Sequence, residues 1–188
     1  MIPSLFGVIW IFLSIFFAAL SFHIYSRFSY EKPIASIYFE KDREKVFNAY
    51  LSIGDEQPQE YKILGDQWRL DAQFIKLKPW ANIFGLDALY HLERFEGRYK
   101  KIKEQNSFST LAHDLSKNNT YNIPEFLTEY NFLIDAEYGS STYLSINESL
   151  LYVVYQTQSG IIVRQESNPG NDKPTSTLLN KMIKMLQK

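Results

Sequence analysis

From Met1 to Ser26 the chain carries no formally charged side chain, and between Leu5 and Phe22 the run of Ile, Leu, Phe, Val, Trp and Ala is broken only by Gly7, Ser14 and Ser21. A membrane-spanning helix needs about 20 apolar residues at a rise of about 1.5 Å each, and Ile2 to Ile24 supplies them. A cleavable signal peptide would open on basic residues, carry a shorter apolar stretch and end in a small-x-small site. Here no Lys or Arg precedes the run, and it leads into Phe22, Tyr25, Phe28 and Tyr30, aromatic residues suited to a membrane interface. The expectation is an uncleaved, single-pass transmembrane anchor over residues 1–26, contacting the lipid bilayer through residues 2–24.

Residues 27–188 are enough for one domain with its own core. Their charge is balanced: 20 basic against 21 acidic residues in the whole chain, with no basic stripe of the kind a nucleic-acid binder presents. No nucleic-acid partner is therefore expected. The chain has no cysteine, and its histidines do not cluster at metal-ligand spacing, so neither a metal nor another cofactor is expected.

Period-two alternation marks the clearest strand, Trp68 to Leu77, where Trp68, Leu70, Ala72 and Phe74 alternate with Arg69, Asp71 and Gln73. Ile34 to Phe39 and Lys45 to Ile53 read as an earlier pair of strands. The turn Gly54 to Pro58 then leads into Tyr61 to Leu64. Near the end, Tyr143 to Ile146, Leu150 to Thr157 and Ile161 to Gln165 are separated by hairpin-sized connections. Leu86 to Tyr99 mixes helical and strand signals and is assigned as strand. Helices are expected at Phe108 to Leu115 and Pro124 to Ala136, where Phe126, Leu127, Tyr130 and Leu133 recur at helical spacing. The predicted fold is α+β: a mostly antiparallel sheet or half-open barrel over residues 27–166 with two or three packed helices. A polar linker over 167–177, with Pro169, Gly170 and Pro174, precedes an amphipathic helix over 178–188 built on Leu178, Leu179, Met182, Ile183 and Leu186.

Catalytic signatures are sparse. His23 lies in or beside the anchor, leaving His91 and His113 for acid–base work, and neither has a nucleophile partner in sequence. Gly139-Ser140-Ser141-Thr142 lacks the second glycine of a nucleophile elbow and is followed by strand rather than helix. Asp66, Asp71, Glu93, Asp135 and Glu137 sit among charged strand faces, where carboxylates are mostly solvated. Arg94 and Arg98, four apart on a strand, share one face and are placed to hold an anionic group, unless Glu96 between them makes the face a set of surface ion pairs. The 13 Tyr and 14 Phe supply aromatic surface for a groove, although a small β-rich core also consumes them.

Four blocks carry a family resemblance: Leu64 to Lys76, Gly85 to Tyr99, Asp135 to Leu144 and Gln158 to Arg164. With them the chain resembles a family of bacterial membrane-anchored proteins commonly labelled multidrug transporter or cation/multidrug efflux pump. The resemblance transfers no chemical role to any residue. Alternating-access transport needs several helices around a midplane site, and one span does not enclose a path. The resemblance implies a soluble domain outside the cytoplasm, whereas Arg27, Lys32, Lys41, Arg43 and Lys45 after the span would hold it inside by the positive-inside rule. The expectation adopted is a bacterial inner-membrane protein with a periplasmic domain.

The sequence therefore points to a non-catalytic interaction or accessory module of the bacterial envelope. Its partner would be a protein of the membrane or envelope, an efflux assembly being one such setting. The candidate binding residues are Trp68, Arg94, Arg98, Tyr138, Ser140 and Tyr143. The competing expectation is a membrane-anchored hydrolase acting on envelope material through His91 or His113.

Overall fold

The structure, a computed structural model, describes residues 2–116 and 131–167. It opens on helix α1 (Ile2–Phe28). Within α1, Phe6–Phe28 is long and apolar enough to cross a membrane, with a mean hydropathy of 2.1, and none of it is buried against the rest of the chain. Such a helix finds no protein surface on which to hide its apolar side chains, so lipid is the solvent its sequence suits.

Among the described residues nine antiparallel strands follow: β1 (Lys32–Arg43), β2 (Val46–Ile53), β3 (Gln59–Leu64), β4 (Gln67–Leu77), β5 (Leu89–Arg98), β6 (Ala112–Asp114), β7 (Ile134–Ser145), β8 (Leu150–Thr157) and β9 (Gly160–Ser167). They form two sheets in the orders β3-β2-β1-β8-β9 and β6-β5-β4-β7, and neither closes into a barrel. The sheets face each other across one core. Its centre is Trp68, whose ring lies 5.3 Å from Tyr152, 6.2 Å from Phe39 and 6.2 Å from Phe95. The alternation read in Trp68 to Leu77 is what this packing requires: Trp68, Leu70, Ala72 and Phe74 are buried and Arg69, Asp71 and Gln73 lie on the outer face. Leu150 to Thr157 is apolar on both faces and occupies an interior position between β1 and β9.

Register gives the sandwich a near end and a far end. Lys32, the start of β1, lies four residues after α1 and pairs with Gln156, while the other end of β1 turns at Glu44-Lys45. β4 runs from Gln67, beside that far turn, to Leu77, which leads into the short helix α2 (Pro79–Ile83). Ten strand steps of about 3.3 Å separate the two ends of β4 by about 33 Å.

Two sequence expectations are corrected. Phe108 to Leu115 is not helical: the helix is α3 (Ile102–Ser107), and Ala112–Asp114 forms β6, pairing Arg94 with Asp114 and Glu96 with Ala112. The open edge of β5 recruits the chain there, and α3 is seated instead by Glu104, 2.5 Å from the Lys45 Nζ, and by Gln105, which accepts the Tyr99 N–H at 2.7 Å. Of the helix expected over Pro124 to Ala136, residues 124–130 lie outside the described residues. Asn131–Leu133 is a single 3-10 turn and Ile134 already begins β7, because β4 offers ladder partners from Leu77 onward. The helix α2 had no counterpart in the sequence reading. Ser167 closes β9, and the rest of the expected linker and the helix over 178–188 lie outside the described residues.

Because α1 contributes nothing to the apolar core, deleting residues 1–26 should release a folded, soluble domain. Circular dichroism with membrane fractionation checks this; an unfolded product would show that the helix is part of the fold.

Candidate functional site

The outer face of the four-stranded sheet carries a cluster of paired charged side chains. Register places Arg94 opposite Asp71 and Glu96 opposite Arg69 on neighbouring strands, with Ser141 of β7 on the other side of Asp71. Arg94 donates twice to Asp71 Oδ2, from Nε at 2.9 Å and from Nη2 at 2.8 Å, and lies 3.5 Å from Glu96. Arg69 reaches Glu96 at 2.6 Å and Asp71 at 3.3 Å, and the Ser141 hydroxyl donates to Asp71 Oδ1 at 2.7 Å. The hydrogen bond to Asp71, with Glu96 close by, raises the Arg94 pKa above its ordinary value. Two guanidiniums and two carboxylates thus neutralise one another, and on an exposed face such pairs add little stability.

Arg98 is held differently. It lies opposite Gln67 at the far end of β5, and its guanidinium stacks over the Tyr143 ring at 4.4 Å. Among the described residues no carboxylate comes within ion-pair distance of it. Cation–π stacking leaves the in-plane N–H donors of an arginine available to an incoming carboxylate or phosphate. Tyr143 itself is exposed.

The six residues singled out from sequence therefore divide. Arg94, Arg98 and Tyr143 share the outer face; Trp68, Tyr138 and Ser140 point the other way. Trp68 is fully buried. Tyr138 stacks on Phe74 at 6.2 Å. The Ser140 hydroxyl accepts the Ile161 N–H at 3.0 Å, a tie between β7 and β9 across the sandwich. Of the two domain histidines, His113 Nε2 lies 2.7 Å from the Lys62 carbonyl with its ring edge-on to Tyr61, and the Nδ1 of His91 is buried without a hydrogen-bond partner among the described residues. Of the carboxylates, Asp135 pairs with Lys76 at 2.8 Å and Glu137 accepts from Gln73.

A second polar assembly, unread in the sequence, joins α1 to the sandwich. Arg27 donates to the Asn82 carbonyl at 3.2 Å and pairs with Asp87 at 2.6 Å, and Gln158 Nε2 donates to the same Asp87 oxygen at 2.8 Å. One turn earlier, His23 Nε2 lies 3.1 Å from the Ile83 carbonyl. Glu31, just beyond the helix, receives Arg164 of β9 through two bonds of 2.9 and 2.7 Å, which hold its carboxyl below the usual range. The cleft beside Asp87, lined by Tyr30, Lys32, Gln156, Thr157 and Gln158, has room for no more than a water molecule. The only sequence signal for this junction is Arg27 itself, the first charge after the apolar run.

No family model, curated protein or solved structure matches the chain. Function rests on the geometry alone.

Proposed function

We propose that this chain is a single-pass, membrane-anchored interaction module of the bacterial envelope, and that it takes its partner at the outer face of the four-stranded sheet, around Arg98 and Tyr143. The observation that carries this is the contrast on that face: Arg69, Asp71, Arg94 and Glu96 form ion pairs with one another, whereas Arg98 is stacked on an exposed tyrosine at the end of the sandwich farthest from α1. Arginine and tyrosine are the side chains that most often dominate binding energy at protein interfaces. An acidic segment of a membrane or envelope protein, an efflux assembly included, fits this pair. His23 and Arg27 bond to the domain, and cleavage after Arg27 would discard those bonds.

Photo-crosslinking from intact membranes tests the reading. Benzoylphenylalanine in place of Tyr143 should give a discrete adduct that Arg98→Glu reduces at least tenfold, about 1.4 kcal/mol of lost interaction. The same adduct from Glu60, on the opposite sheet, or its persistence in Arg98→Glu would overturn the site. Orientation is read in the same membranes with Glu44→Cys, an exposed far-end position in a chain without cysteine. A periplasmic domain reacts with an impermeant maleimide in intact cells whose outer membrane is opened; labelling only after inner-membrane rupture places it in the cytoplasm.

A further inference from the structure

The near end of the sandwich exposes apolar side chains that its own core does not use. Phe84 is 81% exposed, Trp80 43% and Leu86 42%, all in α2 or the turn after it, and Phe132, 56% exposed, stacks on Trp80 at 6.2 Å with an interplanar angle of 8°. Burying such groups is worth about 25 cal/mol per Å² of apolar surface. Exposed apolar side chains grouped at one end of a domain, as these are, mark a surface that meets something.

The position of the patch identifies what it meets. α2 is fastened to the last turns of α1 through His23 to the Ile83 carbonyl and Arg27 to the Asn82 carbonyl. The apolar helix Phe6–Phe28 has 23 residues, about 35 Å at 1.5 Å per residue, against a hydrocarbon core of about 30 Å. Its last turns, and α2 beside them, therefore fall at the depth of the headgroups. Trp and Phe are the side chains that enter that layer favourably. Lys78, immediately before α2, and Lys32, at the start of β1, lie at the same end of the sandwich, and cations there suit anionic headgroups.

The geometry points to Trp80, Phe84, Leu86 and Phe132 as an interfacial foot that inserts into the headgroup layer of the bilayer α1 spans, seating the sandwich on the membrane surface. This rests on α1 being a retained span, and the experiment separates the two.

The full-length chain, reconstituted in vesicles of phosphatidylethanolamine and phosphatidylglycerol, carries one nitroxide at a time on Leu13→Cys, Phe84→Cys or Glu44→Cys. The Leu13 label reports mid-span and the Glu44 label bulk water. The Phe84 label should read between them, several-fold more accessible to oxygen relative to a water-soluble nickel chelate than the Glu44 label. A Phe84 label as wet as Glu44, with Leu13 deep, overturns the foot and leaves the span standing. A Phe84 label shielded from both reagents also overturns it, by showing that protein rather than lipid covers the patch. A Leu13 label in water takes down the span and the foot together. As a second measurement that leaves α2 and its turn unaltered, brominated acyl chains in a Trp10→Phe background should quench Trp80 and spare the buried Trp68; unquenched Trp80 emission would count against the foot.

Discussion

Replacing Gly97 by alanine should destabilise the domain by roughly 3 kcal/mol or more, beyond the usual cost of overpacking. A Cβ built on Gly97 would lie 2.1 Å from the Leu64 carbonyl oxygen and 2.8 Å from both its carbonyl carbon and its nitrogen. These are main-chain atoms at the end of β3, so no rotamer change relieves the clash. The crowding is mutual: a Cβ on Gly65, at φ +126°, would sit 2.3 Å from the Arg98 carbonyl oxygen. Here the chain leaves one sheet for the other, and the two glycines let the backbones cross in contact. Gly139→Ala meets nothing within 4 Å and should be neutral or stabilising by up to about 1 kcal/mol. Denaturant melts of the two variants compare them directly. Similar midpoints would mean that the crossing relaxes at little cost.

Trp68→Ala should cost about 3–5 kcal/mol, the range for removing a large buried aromatic side chain. Trp68 touches both sheets, with Phe95 on its own and Phe39 and Tyr152 on the other, so truncation opens a cavity whose rigid walls of two sheets close poorly. Its indole Nε1 is buried without a hydrogen-bond partner among the described residues. Trp68→Phe therefore loses volume but no bond and should be the milder variant. Gln73→Ala, one face over, removes only a hydrogen bond to Glu137 on the exposed surface and should stay within about 0.5 kcal/mol of the parent. Equal effects at positions 68 and 73 would contradict the face assignment of β4.

What sequence reveals here is what local pattern encodes. The apolar helix α1 is legible because its uncharged run has the length a bilayer requires, and β4 is legible because its two faces meet different solvents. The strand assignment of Leu86 to Tyr99 follows from the same alternation, and the hairpin from Leu150 to Gln165 from the hairpin-sized connection Ser159-Gly160 between two apolar runs. β6 is three residues long and exists because β5 has an unpaired edge, a fact about a neighbour rather than about Ala112–Asp114. α2 was invisible for a related reason: five residues carry no periodicity, and its position is fixed by bonds from α1 55 to 60 residues away in sequence. At the candidate site, the shared face of Arg94, Glu96 and Arg98 follows from strand spacing alone. That Asp71 and Arg69 engage Arg94 and Glu96 while Arg98 turns to Tyr143 depends on register across three strands, and register is a property of the assembled sheet.

The bonds from Arg27 to Asp87 and from Glu31 to Arg164 hold the helix end against two separate parts of the sandwich. Two fastenings on different elements make a clamp instead of a swivel. Spanning helices tilt by about 20° on average as lipid thickness and neighbours change, and with α1 as a span a clamped domain would inherit that angle. Over the roughly 33 Å height of β4, a 20° change at the membrane sweeps the Arg98 and Tyr143 end sideways by about 11 Å. With α1 spanning a bilayer, as proposed, the domain would be a lever whose short arm is set by the bilayer and whose long arm carries the half-buried Arg98.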